Sequence, residues 1–186
     1  MSQLTDLQGT YVLDPSHTRI GFVTRHAMVT KVRGAFDEYT GEATIDGANP
    51  AASSLKVAIK TASIDTRNAD RDAHLRSADF FDAENNPEIT FVGTGFAITS
   101  ADTVEVTGDL TIKDVTKPIT IPFTFEGAAT DPFGNQRIGF EGKAVLLRSD
   151  YGLTWNAALE TGGVLVSEKV TLEFDISAIA QVPAAV

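Results

Sequence analysis

The side chains able to do chemistry in this 186-residue chain are few and scattered. There is no cysteine, which removes disulfides, thiolate catalysis and cysteine metal sites together. Serine and threonine are plentiful, yet none stands in a Gly-x-Ser-x-Gly turn, and no glycine-rich phosphate loop occurs. No catalytic residue and no cofactor is expected. Three histidines remain. Parity with Ile20 and Phe22 sets His26 on the inner face of an extended segment, near its end. There it either hydrogen-bonds the polar head of a ligand or is satisfied by the adjoining loop. His74 has the same two readings, with a phosphate or a neighbouring Asp as partner, and His17 is expected to be structural. No carboxylate or second histidine sits at ligand spacing, so no metal site is expected. Arg148 shares parity with Ala144 and Leu146 and points inward or toward a rim. Its planar donor fork suits a pyrophosphate, and it equally suits an acidic residue that closes an end. Arg71 and Asp72 read as anchors of a helix.

The elements that must hold these groups are strands. Period-two alternation recurs in eight segments: 18–26, 33–45, 55–61, 88–98, 104–113, 119–125, 138–146 and 170–176. Gly34 and Gly41 suggest a bulge or bend in the second segment. Pro122 falls on the face opposite the apolar set, and residues 131–136 read as a hairpin loop. One stretch lacks β-branched residues. Asn68 is a plausible N-cap, Asp70 and Asp72 occupy the first turn, and Asp72 and Arg76 stand at i,i+4. The spacing predicts a short helix over 69–76, between strands 3 and 4, placed to roof one end. Eight antiparallel segments joined by short turns predict an all-β up-and-down barrel or a sandwich. The chain reads as one domain over 1–186, with 1–9 and 180–186 as loose ends and 150–167 irregular.

Composition bounds the partners. Net charge is −10 with a pI near 4.6, and no basic run exceeds two residues, so no nucleic-acid partner is expected and acidic lipid surfaces are disfavoured overall. No apolar run is long enough for a transmembrane segment. The first residues show no secretory leader, so a cytoplasmic location is expected, or a periplasmic or secreted one if a leader was trimmed. Phenylalanine is abundant, eleven against one Trp and three Tyr, which supplies apolar surface without polar handles. Parity and the helix pattern turn Ile20, Phe22, Phe36, Ile64, Leu75, Phe80, Phe81, Phe91, Leu110, Ile112, Phe123, Phe140, Leu146 and Phe174 inward. An eight-stranded barrel either fills with such side chains or keeps room for one small ligand, and alternation alone does not choose.

Further residues carry a resemblance. Tyr11-x-x-Asp14, His17-Thr18-x-Ile20-x-Phe22-x-x-x-His26, Gly34-x-Phe36, Ser63-Ile64-x-Thr66, and Arg71-Asp72-x-His74-Leu75-Arg76-x-x-Asp79-Phe80-Phe81 occur in order. Pro87-x-Ile89-x-Phe91, then 108–118 (Gly-Asp-Leu-Thr-Ile-Lys-x-Val-Thr-Lys-Pro), and Arg148-x-Asp150-Tyr151-Gly152 follow. Over nearly its whole length the chain resembles the YceI-like family of lipocalin-like polyisoprenoid-binding proteins, departing from it in the leader that many relatives carry. The resemblance implies an elongated lipocalin-like barrel that binds, transports or sequesters a long isoprenoid (a polyprenyl phosphate or quinone-like molecule) or a similar amphiphilic lipid. The inward set then forms the apolar lining, and His26, His74 and Arg148 the polar rim. Two other readings stand beside it: an enzyme acting on a hydrophobic substrate with His26 as acid or base, and an interaction protein with a filled barrel. The oligomeric state is open between monomer and homodimer.

Overall fold

Apolar side chains at every second position bury one face of each strand, and the computed structural model describes residues 2–182 of the resulting sheet. In chain order the strands are β1 (Gln8–Leu13), β2 (Arg19–His26), β3 (Thr30–Phe36), β4 (Tyr39–Asp46), β5 (Ser54–Lys60), β6 (Ile64–Asp65), β7 (Glu88–Ile98), β8 (Thr103–Ile112), β9 (Val115–Thr130), β10 (Gln136–Leu147) and β11 (Lys169–Ala180). The helix α1 (Ala69–Arg76) lies between β6 and β7. Every ladder is antiparallel.

The eleven strands make eight staves. Three staves are interrupted: β1 runs into β2 across 14–18, β3 into β4 across 37–38, and β5 into β6 across 61–63. β11 bridges the first break, pairing with β1 through Ala178–Ala180 and with β2 through Thr171–Asp175. The same pairing closes the sheet into a barrel, from β1 through β4, β5, β7, β8, β9 and β10 to β11 and back. The break in the second stave falls at Asp37–Glu38, away from Gly34 and Gly41, so those glycines have another purpose.

The β9–β10 ladder stops at Phe123↔Gly142, leaving residues 115–122 of β9 paired only with β8. Proline explains this. Pro118 and Pro122 cannot belong to mutually hydrogen-bonded pairs, so they take the non-bonded positions opposite Asp109 and Glu105 of β8. Their nitrogens therefore face β10, where two donors are missing. The outer face of the barrel is polar and the inner face apolar, as in β8, where buried Val106, Leu110 and Ile112 alternate with Thr107, Asp109 and Thr111. No helix among the described residues is long and apolar enough to cross a membrane.

Both ends are roofed. At one, a 3-10 turn over Leu4–Asp6 packs buried Leu4 and Leu7 against Tyr11, Ile138 and Ala178. The expectation that 1–9 is a loose end is therefore corrected for residues 4–9, since apolar Leu4 and Leu7 seal this end and β1 starts at Gln8. At the C-terminus, Ala180 is still paired with Tyr11, and the expectation for 183–186 lies outside the described residues. At the other end, α1 is capped by the Asn68 side chain, whose Oδ1 accepts from Arg71 N at 2.9 Å. Buried Asp72 accepts from the Thr66 amide at 2.8 Å and its hydroxyl at 2.6 Å, and Arg71 Nε donates to the same hydroxyl at 2.7 Å. Asp72 thus holds the helix to the β6 exit instead of pairing with Arg76.

A second polar tie crosses the first break. Asp14 accepts from His17 Nδ1 at 2.7 Å and from Arg137, whose Nε donates to Asp131 Oδ2 at 2.7 Å. Asp131 also accepts the Phe133 and Asn135 amides, which builds the β9–β10 loop. The Arg137 and His17 bonds hold the Asp14 carboxyl down at about 2. A depressed carboxylate stabilises the fold fully above its ordinary value of about 3.9 and loses that contribution as pH falls through its folded value. Thermal midpoints should therefore drop between about pH 4 and about pH 2. Arg137→Met should lower the midpoint at neutral pH and flatten that acid drop. An acid profile identical to the wild type would show that this tie contributes nothing.

Candidate ligand cavity

Inside the barrel, ring orientation decides whether there is room. An ideal Cβ on Gly34 would lie within 2.3 Å of the Phe22 ring, one on Gly108 within 2.4 Å of Phe91, and one on Gly142 within 2.6 Å of Phe123. Phe22 and Gly34 are direct cross-strand partners, as are Phe123 and Gly142. Each ring therefore lies flat over the inward face of a glycine on the next strand, where any side chain would lift it toward the axis. Leu13 lies over Gly41 in the same way. These inward glycines clear the centre that the nine phenylalanines bordering it could otherwise fill.

The result is a cavity of about 320 Å³ that touches residues from one roof to the other. Leu4, Leu7 and Ile138 border it at the first end, and Leu75, Phe80 and Leu153 at the second. Every side chain expected in the apolar lining borders this cavity except Ile64, which is buried beside Phe36 at the break in its stave and lies outside the lining. Leu13, Val57, Ile59, Ile121 and Ile138 line it as well, and strict alternation of the staves would have found all five. The wall is almost wholly carbon. Such a space is expected to stay dry unless an apolar guest fills it.

The three rim residues fare differently. Arg148 is 3% exposed and makes four hydrogen bonds to backbone carbonyls and one ion pair. Nε bonds Ser167 O at 3.0 Å, Nη1 bonds Leu153 O at 2.6 Å and Trp155 O at 2.8 Å, and Nη2 reaches Val166 O at 3.4 Å and Glu168 at 3.2 Å. It borders the cavity, yet its guanidinium is turned to backbone carbonyls and to Glu168. Its job is to fasten the 152–168 loop across the end, as one of its two sequence readings has it. His74 Nε2 lies 2.8 Å from Asp79 Oδ2, and its ring packs edge-on against Phe80 and Trp155 at 5.0 and 4.7 Å. That aromatic roof covers the cavity without His74 entering it. His26 ends β2 exposed, opposite Thr30, and bridges to Val166 through its backbone. It does not line the cavity, so an acid–base role within the lumen has no geometric support. No cluster of metal-ligating side chains occurs among the described residues.

A closed antiparallel barrel with an apolar lumen is the lipocalin-like class of architecture. The comparisons give the family: the YceI-like domain model matches residues 11–178, and the chain belongs to the YceI-like family. A UPF0312 protein of Azotobacter vinelandii is 41% identical over 145 residues, covering 77% of this chain and 76% of that one. A UPF0312 protein of Pseudomonas putida is 38% identical over 161 residues, covering 87% and 79%. Among solved structures, BcnA of Burkholderia cenocepacia superposes with a TM-score of 0.78 at 25% identity, over 89% of this chain and 98% of that one. The YceI protein of Campylobacter jejuni does so at 0.72 and 30%, over 85% and 90%. A polyisoprenoid binding domain from Saccharophagus degradans shares the fold, with a TM-score of 0.70 at 18% identity over 92% and 98%.

The glycine floors can be tested directly. Gly34→Ala with Gly142→Ala should keep the fold at a cost of about 1–3 kcal/mol while swinging Phe22 and Phe123 toward the axis. Xenon uptake or binding of a small hydrocarbon should fall accordingly. Undiminished uptake in the double variant would show that ring placement does not set the free volume.

Proposed function

We propose that this protein holds a long apolar chain in the barrel, carrying or sequestering an isoprenoid or a similar amphiphilic lipid without transforming it. One observation supports this above the rest: a single carbon-walled cavity that borders both roofs. Its 320 Å³ falls in the size range of small-molecule sites, which is about 300–1,000 Å³. A filled barrel, as the interaction-protein reading requires, does not offer this volume. Each methylene moved from water into such a wall is worth about 0.8 kcal/mol, so a long chain gains affinity from length without any polar contact. Ordering the chain and losing its free motion offset part of that gain. Kinship with a structure described as a polyisoprenoid binding domain favours an isoprenoid among such chains. With Arg148 spent on the loop, an anionic head is best met outside the lumen.

Native mass spectrometry of freshly purified protein, before and after organic extraction, tests the reading. Adducts of lipid mass that extraction removes are expected. A bare polypeptide mass in both samples, with no uptake of added prenol, would overturn it.

A further inference from the structure

We propose that the β2–β3 hairpin docks on an anionic membrane surface and so brings one end of the cavity to the lipid; this rests on the carrier reading above. The last ladder pair between β2 and β11 is Val23↔Thr171. Past it Thr24 still borders the cavity, and the rest of the hairpin runs against the 156–167 loop, through Ala27 N to Leu165 O at 2.7 Å and Ser167 N to Arg25 O at 3.1 Å. At a strand's rise, its tip lies about 16 Å along the strand from that last pair.

That tip is apolar and exposed. Val29 N donates to His26 O at 3.1 Å, closing a turn in which Ala27 and Met28 have φ of 52° and 64°. Positive φ at both central positions defines a turn that favours Asn-Gly. Here it presents Met28 at 61% exposure and Val29 at 77% instead. The loop adds Val164, and its Gly163 stands close to the Met28 side chain.

The flanks are basic. Residues 19–36 carry four of the chain's fifteen Lys and Arg and none of its twenty-five Asp and Glu. Arg25 and Lys31 are direct cross-strand partners, both exposed and in no ion pair among the described residues. Like charges placed directly opposite repel, and an anionic surface relieves that repulsion. Arg33 is partly held by Glu173 at 3.6 Å. Of the acids on the neighbouring loop, Glu168 is paired with Arg148, which leaves Glu160. The protein's net charge of −10 acts here only through its nearby members, because fields are screened within about 10 Å at 0.1 M salt. An apolar tip with cationic flanks matches the interface of an anionic bilayer, where the side chains enter the acyl boundary and the cations meet phosphates. A nucleic-acid backbone has no use for the tip, and a second copy would oppose like charges.

Flotation with vesicles of phosphatidylcholine alone, and with about a third phosphatidylglycerol added, tests the proposal. Binding to the anionic vesicles should exceed binding to the neutral ones by about ten-fold at low salt and vanish near 0.5 M. Arg25→Glu with Lys31→Glu, and separately Met28→Ser with Val29→Ser, should each abolish it. None of the four side chains lines the cavity, so lipid content by native mass spectrometry should be unchanged in both variants. Binding indifferent to lipid charge, binding that survives Arg25→Glu with Lys31→Glu, or no binding at all would overturn the docking role. So would hairpin variants that change only the mass in light scattering, since the finger would then be a self-association surface. Wild-type protein that floats with anionic vesicles yet never holds a lipid would instead sink the carrier reading alone.

Discussion

An inward phenylalanine in a narrow barrel can point at the axis or lie along the wall, and the residue on the neighbouring strand decides which. Where that residue is an inward glycine, as at Gly34 beneath Phe22 and Gly142 beneath Phe123, the ring covers exposed backbone and keeps out of the centre. The rings also pack on one another, Phe22 on Phe36 with centroids 5.9 Å apart and Phe123 on Phe174 at 5.8 Å, as Phe125 does on Phe140 at 5.3 Å where no glycine lies opposite. The lumen therefore comes from pairing large with absent side chains across strands. Its volume depends on register, because a slip of one residue would turn every ring and every glycine to the other face.

Register in turn depends on polar ties at the interruptions. The first stave breaks at Asp14, and that carboxylate, through Arg137 and Asp131, links the break to the far hairpin. At the opposite end Arg148 performs a similar service for a loop with little regular structure, bonding four carbonyl oxygens and pairing with Glu168 from one buried guanidinium. Removing it would leave several of those acceptors unpaired in a carbon-lined space, which is costlier than losing the bonds themselves. The chemistry-bearing side chains of this protein are thus mostly structural, and its function resides in what the wall lacks.

The sequence displayed the staves because period-two alternation survives interruption, and it displayed α1 at Ala69–Arg76 because Asn68, Asp70 and Asp72 mark its first turn. Of the fourteen apolar side chains it turned inward, all but Ile64 border the cavity, since parity carries along a strand. Four things were not legible. Gly34 and Gly41 read as bends, because their partners lie on other strands and only register identifies them. Leu4 and Leu7 read as a tail, because two leucines in a polar stretch carry no period. Arg148 kept two readings, because its partners are backbone carbonyls, which every residue supplies and no pattern marks. His26 fell outside the lining because Thr24 is the last residue of β2 that borders the cavity, and beyond it the strand runs against the 156–167 loop, where strand parity no longer says what faces the lumen.

The central claim is that a continuous apolar lumen binds by length. Calorimetric titration of delipidated protein with a homologous series of linear alcohols measures this most directly. Affinity should rise by about three- to four-fold for each added methylene, in line with about 0.8 kcal/mol per buried group, until the chain spans the barrel and the gain stops. Affinity that does not depend on chain length would contradict the account.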